Sequence, residues 1–409
     1  MRRRLAVALL SLAAVLPAHA VDQGVTVETW GDAYRDGEPS VQGWFRLTYA
    51  LDARLNRSVF VKVAAILEHE SHGDVSRDVL YDADDRDLTR AALRFRDLAV
   101  GFRAGEVTVV LGKQRLTWGR TTFVNATDNL TPRDWTDPLA EVRLSPWSAD
   151  AVWEHERWHV EGALVPQYAP SRLPQIGERW FAAPPGTELQ WGSASFPPVT
   201  WDTLQGAVRG GYRGSRGEVT VSYFRGYDDA PRITAIPGLP DPVTGLVPVT
   251  LDRTFPRLDV AGVDGEVLLG AWIVRGEGGY FHYPGGQEGY ALYQVEAEWS
   301  QGPWRAIAGW GDTVGGGSLA VAATSLDAAY LPAIFLSGTY GEATEWRVDV
   351  TATVGTRDWD SFVRIDGSYP FAGHARAGAE IDLIGGSPTS FWGVWRSNDR
   401  LRVFLKLDY

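Results

Sequence analysis

The sequence contains no cysteine. No disulfide can hold the fold, and no thiolate can act as nucleophile or metal ligand. Methionine occurs once, at the start, and lysine only at positions 62, 113 and 406, so arginine supplies almost all the positive charge. Positive charge is itself in deficit: 39 basic residues face 51 acidic ones, a formal net charge of −12, which argues against a nucleic-acid partner. Long apolar runs are missing too. After residue 20 the best candidate for a spanning helix, Leu319–Leu336, carries Asp327 and Pro332. Any membrane residence must therefore come from strands closed into a barrel, because only helices and closed barrels satisfy their backbone in lipid.

What is present begins with "MRRRLAVALLSLAAVLPAHA". Three arginines, an apolar run from Leu5 to Leu16 and the triplet Ala18-His19-Ala20 form a secretory signal peptide, with cleavage expected after Ala20. The run is too short to span a bilayer. Residues 21–409 then constitute one domain, with no region of different composition inside it.

Period-two alternation recurs along that domain. Phe45, Leu47, Tyr49 and Leu51 share one face against Arg46 and Thr48. Trp346, Val348, Val350, Ala352 and Val354 oppose Glu345, Arg347, Asp349, Thr351 and Thr353. Ala375, Ala377, Ala379, Ile381 and Leu383 oppose Arg376, Glu380 and Asp382. Each is the pattern of a strand whose two faces meet different surroundings. Weaker instances include Ala271–Tyr283, Tyr290–Trp299 and Ser390–Arg396. Tight turns are expected at Asp52–Arg57, Gly214–Gly217, Gln301-Gly302, Thr356–Asp358 and Ser397–Asp399. Long polar connections are expected near residues 69–88, 119–140, 168–203, 228–256 and 314–343.

The expected fold is all-β: a closed antiparallel transmembrane barrel of about 16–18 strands, at roughly 22 residues per strand and connection, with long loops at one rim. A soluble sandwich also alternates, but its second face would not hold so many Arg, Glu and Asp with tryptophans gathered near strand ends. The terminal "LRVFLKLDY" fits the barrel. Leu401, Val403, Leu405, Leu407 and Tyr409 form a lipid-facing row, and only Phe404 interrupts the charged row of Arg402, Lys406 and Asp408. This last strand is expected to pair with the first. Its terminal aromatic resembles the sorting signature read by the barrel-assembly machinery, with tyrosine in place of the commoner phenylalanine.

Several motifs invite other readings. "HERWH" at His155–His159 matches H-E-x-x-H, but its flanks read as strands, and positions four apart on a strand lie about 13 Å from each other. At that spacing they cannot share one zinc ion; if the chain instead turns at Glu156-Arg157 they face each other across a hairpin, which still supplies no third ligand, and Val165 stands where one would be needed. A metalloprotease is therefore disfavoured. Asp82, Asp84, Asp85 and Asp87 lack the glycine and distal glutamate of a helical calcium loop and read as a solvated acidic loop, as does His69–His72. Leu319–Leu336 reads as an inward-folded constriction loop or short helix. No cofactor or catalytic set is expected.

The stretch Leu111–Pro138 reads as a strand bearing Lys113, Arg115 and Arg120, followed by a polar turn-rich segment with Asp128, Arg133 and Asp134. Shared parity of Val109, Leu111, Lys113 and Arg115 points to a bulge. With "YAPSRLP" at Tyr168–Pro174, the stretch resembles a group of proteobacterial outer-membrane barrels loosely similar to alginate-export-type porins. Asn125-Ala126-Thr127-Asp128 stands where that group has Asn-Pro-Thr-Asp. The resemblance implies an outer-membrane barrel with a transport role and no catalytic residues. The candidate lumen residues are Arg94, Arg96, Lys113, Arg115, Arg120, Asp128, Arg133, Asp134, Arg347, Asp349, Arg376 and Glu380, arginines set against acids so as to sort solutes by charge. The expected function is a channel for small polar or charged solutes in the Gram-negative outer membrane, with lipid and the assembly machinery as partners. The alternatives are a plugged structural barrel or, less favoured, a barrel-borne enzyme.

Overall fold

A computed structural model of the chain describes residues 20–37, 39–140, 142–316, 329–342 and 344–409. The expected signal peptide lies outside the described residues except for Ala20. The apolar core of the expected constriction segment, residues 317–328, is outside them as well.

Eighteen strands among the described residues form one closed antiparallel sheet. In chain order they are β1 (Ala20–Tyr34), β2 (Val41–Arg54), β3 (Val59–Glu70), β4 (Leu93–Ala104), β5 (Val107–Lys113), β6 (Trp147–His155), β7 (Trp158–Val165), β8 (Gln205–Arg213) and β9 (Gly217–Tyr227). The second half comprises β10 (Arg257–Leu269), β11 (Trp272–Tyr283), β12 (Gln287–Gln301), β13 (Trp304–Gly315), β14 (Ala333–Gly341), β15 (Arg347–Gly355), β16 (Ser361–Ala372), β17 (Ala375–Gly385) and β18 (Arg400–Asp408). Each strand pairs with its sequence neighbour, and β18 returns to β1 in the register Thr26↔Asp408 through Tyr34↔Arg400. Tyr409 finishes the seam. Its N–H donates to the Val25 carbonyl at 2.9 Å, and the Val25 N–H donates to its carbonyl at 2.8 Å. Closure leaves no free edge, as a hydrocarbon surround requires.

The two rims differ as expected. Turns such as 105–106, 156–157, 270–271 and 302–303 close hairpins at the rim that also holds both ends of the described chain. The opposite rim carries the connections 71–92, 114–146, 166–204 and 228–256. Three of these strands' worth of chain, Thr187–Ser195, Arg232–Pro237 and Val247–Thr254, form a separate small sheet there.

Four local expectations are corrected. Ser390–Arg396 is not a strand: it forms a 3₁₀ turn around Gly393–Trp395 that packs Trp392 against Phe362 and Tyr330 inside the long-loop rim. Thr356–Asp358 lies in the short connection 356–360 and Ser397–Asp399 ends the longer connection 386–399, and both belong to the long-loop rim, because β15 and β17 run towards it. Ala333–Leu336, assigned to a constriction loop, opens β14 instead. The bulge suspected in β5 is absent from its ladder, which runs unbroken from Leu98↔Lys113 to Ala104↔Val107. Gly112, at φ +135°, turns Lys113 inward without adding a residue, and a Cβ there would fall 2.3 Å from the Leu98 carbonyl. The register shift falls in the β3–β4 ladder, between Ala64 and Ala65.

Side-chain parity separates two environments. On β18, Leu401 and Val403 face outward and are exposed, whereas Arg400 faces inward and is 2 % exposed. Inward rows are ionic: Glu28, Arg46 and Glu68 stand side by side across β1–β3. With no native cysteine to interfere, a T26C/D408C pair tests closure. It is expected to cross-link under oxidation in the folded barrel, while T26C/L405C, three residues out of register, is not; the readout is gel mobility before and after reduction.

Candidate lumen and constriction site

The connection 114–146 does not stay at the rim. It folds into the barrel and is fastened to the inner wall by carboxylates that reach its backbone. Glu277 of β11 accepts from the N–H of Arg120 at 2.8 Å, of Thr121 at 3.3 Å and of Thr127 at 2.8 Å, and from the Thr121 and Thr127 hydroxyls. Glu296 of β12 accepts from the Thr122 N–H and hydroxyl, and Gln294 accepts from the Val124 N–H at 2.7 Å. Gly119 makes this approach possible. Its φ is +91°, and a Cβ there would sit 2.7 Å from both Glu277 oxygens. Buried loop amides thus gain acceptors from two adjacent strands, charged at Glu277 and Glu296 and neutral at Gln294.

From this anchorage the loop crosses towards the other wall. Asp134 is buried between Arg90, at 2.9 Å, and Arg172, at 3.3 Å. Asp137 meets Arg400 at 2.7 Å and Arg402 at 3.7 Å, and Arg364 of β16 donates to the Leu139 carbonyl at 3.0 Å. Burial pushes both loop carboxyls up, but the guanidiniums outweigh it and hold them below the usual carboxylate range. Two cavities of about 340 Å³ each flank the crossing segment, and both are lined by Leu139, Ala140, Val142 and Arg364. One is ringed by Phe123, Trp135, Phe335, Phe362 and Trp392. The other presents Arg46, Arg402, Lys406, Glu28 and Glu380 around the stacked Trp30–Trp44 pair.

The sequence candidates fall into three groups. Arg120, Asp128, Arg133 and Asp134 lie on the crossing loop: Arg120 pairs with Asp264 at 2.5 Å and with Glu218, Asp128 pairs with Arg143, and Arg133 lies over Trp135 beside the aromatic cavity. Arg94, Arg347, Asp349, Arg376 and Glu380 stand on the inner wall, in contact with close neighbours. Arg94 donates to Glu68 at 3.2 Å, Arg347 to Asp349 at 2.6 Å, and Arg376 to Ser368 at 2.7 Å, while Glu380 lies 3.3 Å from both Arg364 and Arg400. Lys113 is buried against Asp85, Arg96 sits in the β3–β4 bulge with Asp97 at 3.0 Å, and Arg115 is exposed without an ion pair among the described residues. Sequence reading missed Glu68, Arg90, Glu277, Glu296, Arg364 and Arg400. Glu277 was hidden in "RGEGGYF", where glycines blur the alternation.

The motifs set aside stay so on geometry. His155 and His159 flank a two-residue hairpin turn, with Glu156 at φ +50°, and their rings go to Glu106 at 2.6 Å and towards Glu218 at 3.7 Å. No group of three His, Cys, Asp or Glu among the described residues could hold a metal ion. In the acidic loop, Asp82 accepts from the N–H groups of Asp84 and Asp87, and Asp85 is neutralised by Lys113 and Arg172.

Two outcomes follow. Glu277→Ala removes six acceptor contacts, the five above and one from the Asn125 amide at 3.4 Å, charge-assisted bonds of about 1.5–3 kcal/mol each for which water compensates only in part. Amides at 120–127 are expected to exchange at least ~100-fold faster by hydrogen-exchange mass spectrometry, with strand protection retained. Asp74, in the connection 71–92, is pushed up to about 7 by burial despite a 2.9 Å bond from Gln42. A carboxyl whose folded pKa is raised stabilises at acid pH, and that stability is lost as pH rises through about 7. Segment 71–79 should exchange about tenfold faster at pH 8.5 than at pH 5.5 after correction for intrinsic rates, and Asp74→Asn should flatten the difference.

No protein-family model matches the chain, and no curated protein matches it in sequence. Solved structures do share its architecture. Acinetobacter baumannii OccAB4 is 8 % identical with a TM-score of 0.57, over 97 % of this chain and 99 % of that one. Acinetobacter baumannii OccAB1 is 10 % identical with a TM-score of 0.55, over 96 % and 98 %. A BenF-like porin from Pseudomonas fluorescens Pf-5 is 10 % identical with a TM-score of 0.54, over 96 % and 98 %. At such identities the likeness speaks for the fold: this chain has the eighteen-stranded closed barrel found in outer-membrane porins.

Proposed function

We propose that this protein is an outer-membrane channel through which small polar or charged solutes pass along a lumen narrowed by residues 114–146. The observation that carries the reading is the crossing loop itself. It is tied to both walls and leaves a cavity on either side, one ringed by aromatic side chains and one bordered by charged groups, rather than a continuous apolar core. Exposed apolar rows outside and ionic rows inside suit a barrel that is wet within and lipid-bound without. The amino-terminal leader and the carboxy-terminal strand, with its last aromatic, support export and insertion by the assembly machinery.

Arginine at the narrowing favours anions. Arg364 and Arg402 face the same cavity as Lys406, and acids there are already engaged by neighbouring guanidiniums. The group of barrels that Leu111–Pro138 resembles is loosely similar to alginate-export-type porins, which makes acidic oligosaccharides one solute class to offer, beside small organic anions. A plugged structural role is the second reading, supported by the number of ties between loop and wall.

Planar-bilayer recording separates them. A channel gives stepwise currents, and Arg364→Ala should raise conductance and lower the anion-to-cation permeability ratio by about twofold, as loss of one lumen cation beside the passage would. Folded protein that stays silent under all applied voltages would favour the plugged barrel.

A further inference from the structure

Strands of a lipid-embedded barrel should present apolar side chains outward, and most of this one does. At the long-loop rim of β14–β18 the outward residues are Ile334, Val354, Val363, Leu383 and Leu401, with Ser361 and Gly385 at the very edge, and none of them is charged. The rim of β9–β11 departs from this. Leu258, Val260, Phe224, Phe281 and Tyr283 point into the lumen cluster, so their strand neighbours Arg225, Asp259 and His282 point out. They are in register, Arg225↔Asp259↔His282, and form a polar row across three adjacent strands.

The charges of the row are loosely held. The Arg225 side chain is 67 % exposed, and its one ion pair among the described residues, to Asp259, is at 4.0 Å. Asp259 already accepts from the Tyr223 hydroxyl at 2.9 Å. Arg257 adds a second guanidinium, lying 5.1 Å over the Tyr227 ring and donating to the Asp202 carbonyl. Exposed rings border the row: Tyr223 and Tyr280 on the outward wall, and Trp201, 91 % exposed, just above β8. Rings at the acyl boundary with cations at headgroup height are what an anionic lipid surface recognises.

We propose that the outward rim of β9–β11 binds the phosphate groups of an outer-leaflet glycolipid, with Arg225 as the principal contact and His282 and Arg257 beside it. The inference rests on the outer-membrane reading only for which leaflet this rim meets. The side of the barrel that faces lipid follows from parity alone. Lipid is the chosen source, rather than free phosphate, because the row stands on the outward wall at the rim, where lipid headgroups meet the barrel.

The test is native mass spectrometry of the full barrel released from detergent, with bisphosphorylated lipid A, the same lipid dephosphorylated, and inorganic phosphate. Wild type is expected to retain the bisphosphorylated lipid at least tenfold better than the dephosphorylated one. R225A/H282A should lose most of that preference, R225K should restore part of it, and D259N should strengthen retention. Equal retention of both lipids, or no change in R225A/H282A, overturns the proposal. Binding of inorganic phosphate as strong as that of the lipid overturns the assignment to a lipid. A lower oligomeric mass in R225A would instead make the row an interface between copies. Bilayer conductance of the same variants should be unchanged, so loss of lipid binding and loss of channel activity are read separately.

Discussion

Every backbone N–H and C=O in a hydrocarbon layer must find a partner within the protein, and this chain meets that demand by joining its last strand to its first. The joint between β18 and β1 runs from Tyr34↔Arg400 down to the reciprocal bonds between Val25 and Tyr409. Once the sheet is a ring, its period-two geometry sorts side chains into two environments without further instruction. Outward positions can be uniformly apolar, and inward ones can carry charge that would be prohibitive on the other face.

Those inward charges have a structural duty. Arg46, Arg90 and Arg94 converge on the Glu68 carboxylate, and Arg364 and Arg400 converge on Asp382. Glu277 and Glu296 hold the inner loop by its amides, and Asp264 of β10 holds it by the Arg120 guanidinium. The lumen is therefore less a free field of fixed charges than a set of locally closed ion pairs, in which Lys406, 3.7 Å from Asp408, is the more loosely held cation at one cavity. Selectivity on this account comes from the residues at the two cavities and not from the total of arginines and acids.

Much of the architecture was legible in the sequence because a half-wet strand cannot hide its alternation. The row Leu401–Tyr409 and the series Trp346–Val354 carry it cleanly. The loop 114–146 was legible as polar and turn-rich, and as a lumen candidate. What receives it was not. Glu277 is the one acid of a glycine-rich strand and Glu296 is one of three in β12, and their partners lie about 150–175 residues earlier. Ser390–Arg396 misled because Phe391, Trp392 and Trp395 are aromatic for packing inside the rim, not for a girdle. Lys113 was read as a pore cation, whereas Gly112 turns it into a buried pair with Asp85.

The most direct test of the ring is hydrogen exchange of the protein in lipid nanodiscs, compared strand by strand. The account predicts that amides in β1 and β18 are protected as strongly as those of β12, in the middle of the chain. Fast exchange confined to β1 and β18, the behaviour of two open edges, would contradict it.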